Sequence, residues 1–271
     1  MATEHIERIA NIVASEPITS GGAIGSGSYI VDGQSDLDIT VTEGASVRLV
    51  VASDAAAADI NIDVERGANL GLVHVVTERS ATNISLALSE GALCRMTQVI
   101  VSASDSRVVA SLMGRDARFE LGGAFVLTDD DQASVTVDVN HMSSDCASRT
   151  MVKGVASGVS HGSFSGLVYV APDAQHTDSE QTSRNVTIGE ARIETLPQLE
   201  IYADDVKCSH GATVGQMDAD AILYMRQRGL SLADAKRLQI EGFVEDVVLH
   251  ASIEGLEEVL TELLSAKLNR L

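Results

Sequence analysis

The sequence predicts a mainly β protein: a parallel β-helix, or solenoid, with a short helix before it and a helical cap after it. Three observations carry that expectation. A short turn motif recurs as Glu43-Gly44-Ala45, Arg66-Gly67-Ala68, Glu90-Gly91-Ala92 and Arg115-Asp116-Ala117, with its alanines 23, 24 and 25 residues apart. A near-constant period in this range, with strands and tight turns but no helix between them, marks a chain wound in stacked coils. The runs Leu37-Asp38-Ile39-Thr40-Val41, Ile60-Asn61-Ile62-Asp63-Val64 and Ile84-Ser85-Leu86-Ala87-Leu88 alternate apolar with polar residues, as half-buried strands do. From Met217 onward the period becomes helical.

Taken in chain order, residues 1–20 form an N-terminal helical segment, in which Ile6, Ile9, Ile12 and Val13 make an apolar stripe among Glu4, Glu7 and Arg8. Residues 21–215 form the β-helix core. A single coil cannot bury its apolar face alone, so stacked coils share one core and pair edge to edge. Strand-like runs continue through 133–139, 166–170 and 185–188 as far as Tyr202. Residues 216–271 are helical, with Asp218 as an N-cap, Gly229 after the last turn, and Ser231 with Asp234 opening a second helix. A third helix carries Leu256, Val259, Leu260, Leu263, Leu264 and Leu268 on one stripe. This cap either covers the exposed edge of the solenoid or docks a partner, and periodicity does not separate the two. An antiparallel sandwich also has strands and turns at short spacing and is the competing architecture. The 18-residue coil of left-handed hexapeptide acyltransferases does not fit the period.

The chain has 271 residues, 45% of them apolar, and a formal net charge of −20 from 39 acidic against 19 basic side chains. That charge opposes phosphate backbones and anionic membranes, so neither nucleic acid nor membrane is an expected partner. Three cysteines, Cys94, Cys146 and Cys208, are too few and too scattered for a disulfide framework and suit a reducing compartment. The N-terminus has no basic region followed by an apolar core, and no run reaches the roughly 18 to 20 apolar residues of a membrane span. A cytoplasmic protein is expected.

The segment from Pro197 to Gly215 is the candidate site, because it sets the thiol of Cys208 and the imidazole of His210 two residues apart, after a strand-like run and before a helix. On a strand those positions share a face. Thiolate and imidazole are ligands that iron and iron-sulfur clusters accept, and Glu194 could add an oxygen from the adjoining coil. The bland alternative is a buried cysteine beside a surface histidine, with a solvated glutamate. One chain holds too few thiolates for a four-cysteine cluster site, so a cluster would be shared by two chains about a two-fold axis. His141 with Cys146, and His161 with Ser163 and Asp173, have the residue types of nucleophilic sites but neither lies in a nucleophile-elbow or protease-like context. No Walker A sequence, Gly-x-Gly-x-x-Gly fingerprint or Cys-x-x-Cys pair is present, so no enzymatic role is expected for this chain.

The stretch from about Ser148 to Val248 resembles the SufB/SufD family of iron-sulfur cluster assembly scaffolds. The resemblance rests on Arg149-Thr150-Met151-Val152-Lys153-Gly154, the run 166–174, Gln181-Thr182-Ser183-Arg184-Asn185, the Cys208 segment, and the runs 220–230 and 241–247. It implies a right-handed parallel β-helix flanked by helices, pairing of two subunits through their β-helices, and a SufC-like ABC-type ATPase docked on residues 216–271. It also implies a transient iron-sulfur cluster, [4Fe-4S] or [2Fe-2S], as cargo, with a sulfur donor and apo-acceptor proteins as further partners. Cys208 and His210 match the SufD-like Cys-x-His, with Glu194 as the third candidate ligand. Gly211 stands where SufB has a glutamate, and Ile188-Gly189 is followed by no SufB-type cysteine. The chain is shorter than typical SufB or SufD subunits, as expected of a compact member acting as a homodimer. The alternatives are a SufD-like accessory subunit that needs a separate SufB-like chain, and a β-solenoid interaction module.

Overall fold

A computed structural model describes residues 2–13, 16–18, 21–32, 36–53, 56–249 and 251–269; positions 1, 14, 15, 19 and 20 of the expected N-terminal segment lie outside these. Helix α1 (Ala2–Val13) comes first. Seventeen strands follow: β1 (Glu16–Ile18), β2 (Gly22–Ile24), β3 (Gly27–Asp32), β4 (Leu37–Val41), β5 (Ser46–Ser53), β6 (Ala56–Val64), β7 (Asn69–Val76), β8 (Ser80–Leu88), β9 (Leu93–Ile100), β10 (Ser104–Leu112), β11 (Arg118–Leu127), β12 (Gln132–His141), β13 (Ala147–Ala156), β14 (His161–Val170), β15 (Asp178–Thr187), β16 (Arg192–Ile201) and β17 (Lys207–Gly215). Helices α2 (Ala219–Gln227), α3 (Leu232–Leu249) and α4 (Glu257–Leu268) end the chain.

Odd-numbered strands form one nine-stranded sheet and even-numbered strands an eight-stranded sheet, each in simple numerical order. Each inner strand therefore pairs with the strand one coil before and one coil after, the end strands pair on one side only, and all pairs are parallel. This is a β-helix-like solenoid, and it excludes the antiparallel sandwich. The solenoid reaches back into the N-terminal segment, since β1 already pairs with β3.

The turn motif builds a spine along one corner. Gly44, Gly67 and Gly91 sit at φ near +65°, where a side chain is disfavoured, and Asp116, Asp145 and His176 hold the same conformation in later coils. Each of these residues donates its backbone N–H to the carbonyl one residue before the matching turn of the next coil: Gly44 to Arg66, Gly67 to Glu90, Gly91 to Arg115, Asp116 to Ser144, Asp145 to Gln175 and His176 to Asp205. Spine residues thus fall at 44, 67, 91, 116, 145 and 176, so coils lengthen from 23 to 31 residues toward the C-terminus. The sequence motif fades after Ala117 because aspartate and histidine replace glycine and the spacing stretches.

Inside, rows of side chains stack coil on coil. Leu70, Cys94, Phe119, Ser148, Ser179 and Cys208 occupy one row of the nine-stranded sheet. The early coils are apolar, with Leu49, Ile60, Leu72, Ile84, Phe119 and Phe125 fully buried. The later coils turn polar along β15, where Ser179, Gln181, Ser183 and Asn185 all point inward. Outside, Arg95 bonds Glu120 and Arg149 bonds Asp178, linking adjacent coils.

A second core lies on the outer face of the nine-stranded sheet. There Val50, Val73, Val75, Val99, Val126 and Val155 pack against Ile240, Val244, Val248, Val259, Leu260 and Leu264 of α3 and α4. The helices therefore lie along the flank of the solenoid. Lys153 reaches from β13 to Asp246 at 2.6 Å and to the Phe243 carbonyl of α3, and Lys267 of α4 reaches Asp131 at 2.6 Å. The expected caps are present: the Asp218 carboxylate accepts from the Asp220 and Ala221 N–H groups, and the Asp234 N–H donates to Ser231 Oγ.

Candidate functional site

Cys208 and His210 lie on β17, the last strand of the nine-stranded sheet, which pairs with β15 on one side only. Their register partners on β15 are Ser179 and Gln181, both buried inward-facing residues. Partners in a parallel ladder share a face, so Cys208 and His210 face the interior of the final coil. Cys208 is half-buried against Val168, Val170, Ala171, Ala174 and Ala203, whereas His210 is exposed because no further coil covers it. The pair thus stands at the mouth of the solenoid, with an unpaired strand edge beside it.

Burial pushes the Cys208 thiol above its ordinary pKa, with a hydrogen bond from the Ser179 backbone opposing and the charge of Asp178 adding to the rise. The group is held as a thiol in the empty protein, and binding a metal would displace its proton.

Glu194 is set apart from this pair. On β16, Ile193 is buried and Glu194 is exposed on the outer face, with its carboxylate 3.6 Å from His161 Nε2. The structure brings together Cys208 and His210 and places Glu194 on the outside of the other sheet. Among the described residues no three His, Cys, Asp or Glu side chains converge as a metal site.

The other nucleophile candidates have structural positions. Cys146 follows the spine residue Asp145, in the place taken by Ala45, Ala68, Ala92 and Ala117 in earlier coils, and its Sγ–H donates to the Gly114 carbonyl at 3.2 Å. His141 is in the core, bonded through Nε2 to Ser148 Oγ, and burial pushes its pKa down to about 4. His161 and Asp173 lie near opposite ends of the ten-residue β14, so they form no triad with Ser163. Cys94 is fully buried, and burial drives its thiol far up.

Around the mouth lies a set of polar groups to which sequence reasoning gave no role. Gln181 is wholly buried, yet neither its Oε1 nor its Nε2 has a hydrogen-bond partner; Asn185 Oδ1 and Thr195 Oγ1 are likewise unpartnered. An orphaned buried amide costs about 1–3 kcal/mol, so its retention calls for a reason. Two glycines make room for these amides. A Cβ on Gly166 would come within 2.4 Å of Gln181 Nε2, and one on Gly154 within 2.3 Å of Asn185 Oδ1. The signal was present in the sequence as a strand, Ser179 to Asn185, whose inward row is entirely polar.

The chain matches known proteins, and the matching family profile spans the region that builds this site. The profile of the family described as "SUF system FeS cluster assembly, SufBD core domain" matches residues 26–243. An iron-sulfur cluster assembly protein SufD of Escherichia coli is 42% identical over 121 residues, covering 44% of this chain and 29% of that protein. An iron-sulfur cluster assembly SufBD family protein of Synechocystis is 37% identical over 49% of this chain and 29% of its own length. A SufBD family protein of Mycobacterium leprae is 28% identical over 64% of this chain and 47% of its own length. The matched region spans less than half the length of each of these relatives.

Proposed function

This chain belongs to the SufBD core-domain family of iron-sulfur cluster assembly proteins, and from that premise we propose that it is a scaffold on which a nascent cluster is built and from which it is passed on. The observation that carries the reading is the Cys208 and His210 pair on the unpaired edge strand β17, facing inward at the open mouth. The cluster is cargo here. A thiolate and an imidazole from one chain leave it underligated, so the remaining ligands come from a second chain related by a two-fold axis through the mouth. Two chains would then supply two thiolates and two imidazoles. Mixed ligation of this kind holds a cluster less firmly than four thiolates, which suits release to an apo-acceptor. Glu194 is left with His161 on the outer face and would reach the cargo only through a change in β16.

The unpaired edges of β16 and β17 support a homodimer, since they expose Leu196, Ile201 and Val214 with backbone groups free to pair. The helical region supports a partner of the SufC-like ABC ATPase class: α2 buries none of its residues and exposes Leu223 and Tyr224, beside exposed Leu232 and Leu238 of α3. ATP hydrolysis on that partner would move the helices, and these press on the outer face of β13 and β11, two and three strands from the edge strand β17. Among the described residues no helix is long and apolar enough to cross a membrane.

Anaerobic coexpression with the ATPase, followed by iron and acid-labile sulfide analysis, tests the reading. Wild type is expected to carry cluster, and Cys208→Ser to lose it while the protein complex stays intact. A second reading, an accessory subunit that needs a separate SufB-like chain, is favoured by the 42% identity to a protein named SufD. A colourless wild type in a stable complex would select it.

A further inference from the structure

Gln181 is the group in the interior whose chemistry the fold leaves unused. It is fully buried, both amide atoms are unpartnered, and it is the register partner of His210 on the neighbouring strand. Strands in a sheet are about 4.8 Å apart, a span that a glutamine side chain crosses to a ring on the same face. Gly166 opposite leaves the space that the amide fills, since a Cβ there would lie 2.4 Å from Nε2. The amide is thus held inside the solenoid against Gly166 of β14, on the strand next to the one that carries His210, with its hydrogen-bonding capacity unspent.

We infer that Gln181 is a positioning residue for His210: when the imidazole turns into the mouth, Gln181 Oε1 accepts the ring Nδ1–H, fixing the tautomer that leaves Nε2 with a free lone pair. A ligating histidine needs its second nitrogen held in this way, because the partner sets both the ring orientation and which nitrogen can bind. In that orientation Nδ1 would face β15 and leave Nε2 toward the open edge, where a second chain would meet the cargo. The inference rests on the scaffold reading for its purpose, while the contact it requires is tested in the protein without cargo.

The test uses the full chain, labelled with 15N-histidine and held near pH 8, where an ordinary imidazole is neutral. His210 is one of seven histidines and is assigned with His210→Gln. The wild-type His210 ring is expected to carry its proton on Nδ1, and Gln181→Leu to move it to Nε2. The same substitution removes one hydrogen bond at the open end of the solenoid and replaces a buried amide by an apolar side chain of similar size, so the melting temperature should change little. Gly166→Ala, which displaces the amide without altering it, should move the ring proton in the same direction. Anaerobically loaded Gln181→Leu should retain iron about 10- to 100-fold more weakly than wild type. A His210 tautomer identical in wild type, Gln181→Leu and Gly166→Ala would overturn the inference. If the ring proton moves but His210→Ala holds iron as wild type does, the positioning contact stands and the scaffold site as proposed falls.

Discussion

His74 and His141 lie inside the solenoid, and burial pushes both imidazoles down to a pKa of about 4. An unfolded histidine titrates near 6.5. Above that value both states are neutral and pH has no leverage. As pH falls from about 6.5 toward 4, the unfolded chain takes up protons that the folded chain refuses, so stability is lost through that window. Each ring accounts for up to about 3 kcal/mol of the loss. The urea midpoint is therefore expected to fall between about pH 7 and about pH 5. His141→Gln, which keeps a hydrogen-bonding group for Ser148 but cannot titrate, should remove about half of that fall. Single residues also explain where the sequence was readable. Gly44, Gly67 and Gly91 announce the spine because glycine is the residue that takes a positive φ without strain, while Asp116, Asp145 and His176 do the same work without announcing it.

Among the elements, the odd-numbered strands differ from the even-numbered ones. The later halves of β7, β9, β11 and β13 are buried on both faces, inward on the solenoid core and outward under α3 and α4. Their sequences carry the mark of this: Val73-His74-Val75-Val76, Val99-Ile100-Val101 and Phe125-Val126-Leu127 do not alternate. Alternation located the even strands well, and its breakdown in the odd ones marks the face on which the helices rest, a signal that sequence reasoning did not use. Lys153 fastens that contact, being almost wholly buried beneath α3 with its ammonium on Asp246 and 4.9 Å from the Phe243 ring centre. Lys153→Ala removes the hydrogen bonds to the Phe243 carbonyl and the Asp246 carboxylate and opens a gap, and should cost about 2–3 kcal/mol after allowance for the half-exposed carboxylate. Lys153→Met, which refills the gap, should cost less than half as much. Thermal unfolding measures both, and limited proteolysis should release the segment from α3 onward first in the alanine variant.

For the molecule as a whole, the decisive asymmetry is between a flank covered by helices and a C-terminal end left open. The end strands β16 and β17 expose apolar side chains beside unpaired backbone, the arrangement that protein edges ordinarily avoid. If a second copy covers them, light scattering of the wild type should give a mass of two chains. Leu196→Lys combined with Val214→Lys should shift it to one chain with little change in melting temperature, since both side chains are exposed within the monomer. A wild type of one chain would send the search to a different partner for this end.

What the sequence determined by itself was whatever repeats locally. The coil period, the alternating strands, the helix caps at Asp218 and Ser231, and the shared face of Cys208 and His210 all follow from residues within a few positions of one another. Even the placement of Glu194 was legible in principle, because Ile193 beside it takes the inward position. Tertiary structure decided the rest, since it depends on which coil lies beside which. Only the stacking of β15 on β17 sets Gln181 beside His210 in register, only the end of the stack leaves His210 exposed, and only the packing of α3 and α4 on the valine face turns an expected end-cap into a flank. Those contacts join residues about thirty to nearly two hundred positions apart, a distance over which local propensity carries no information.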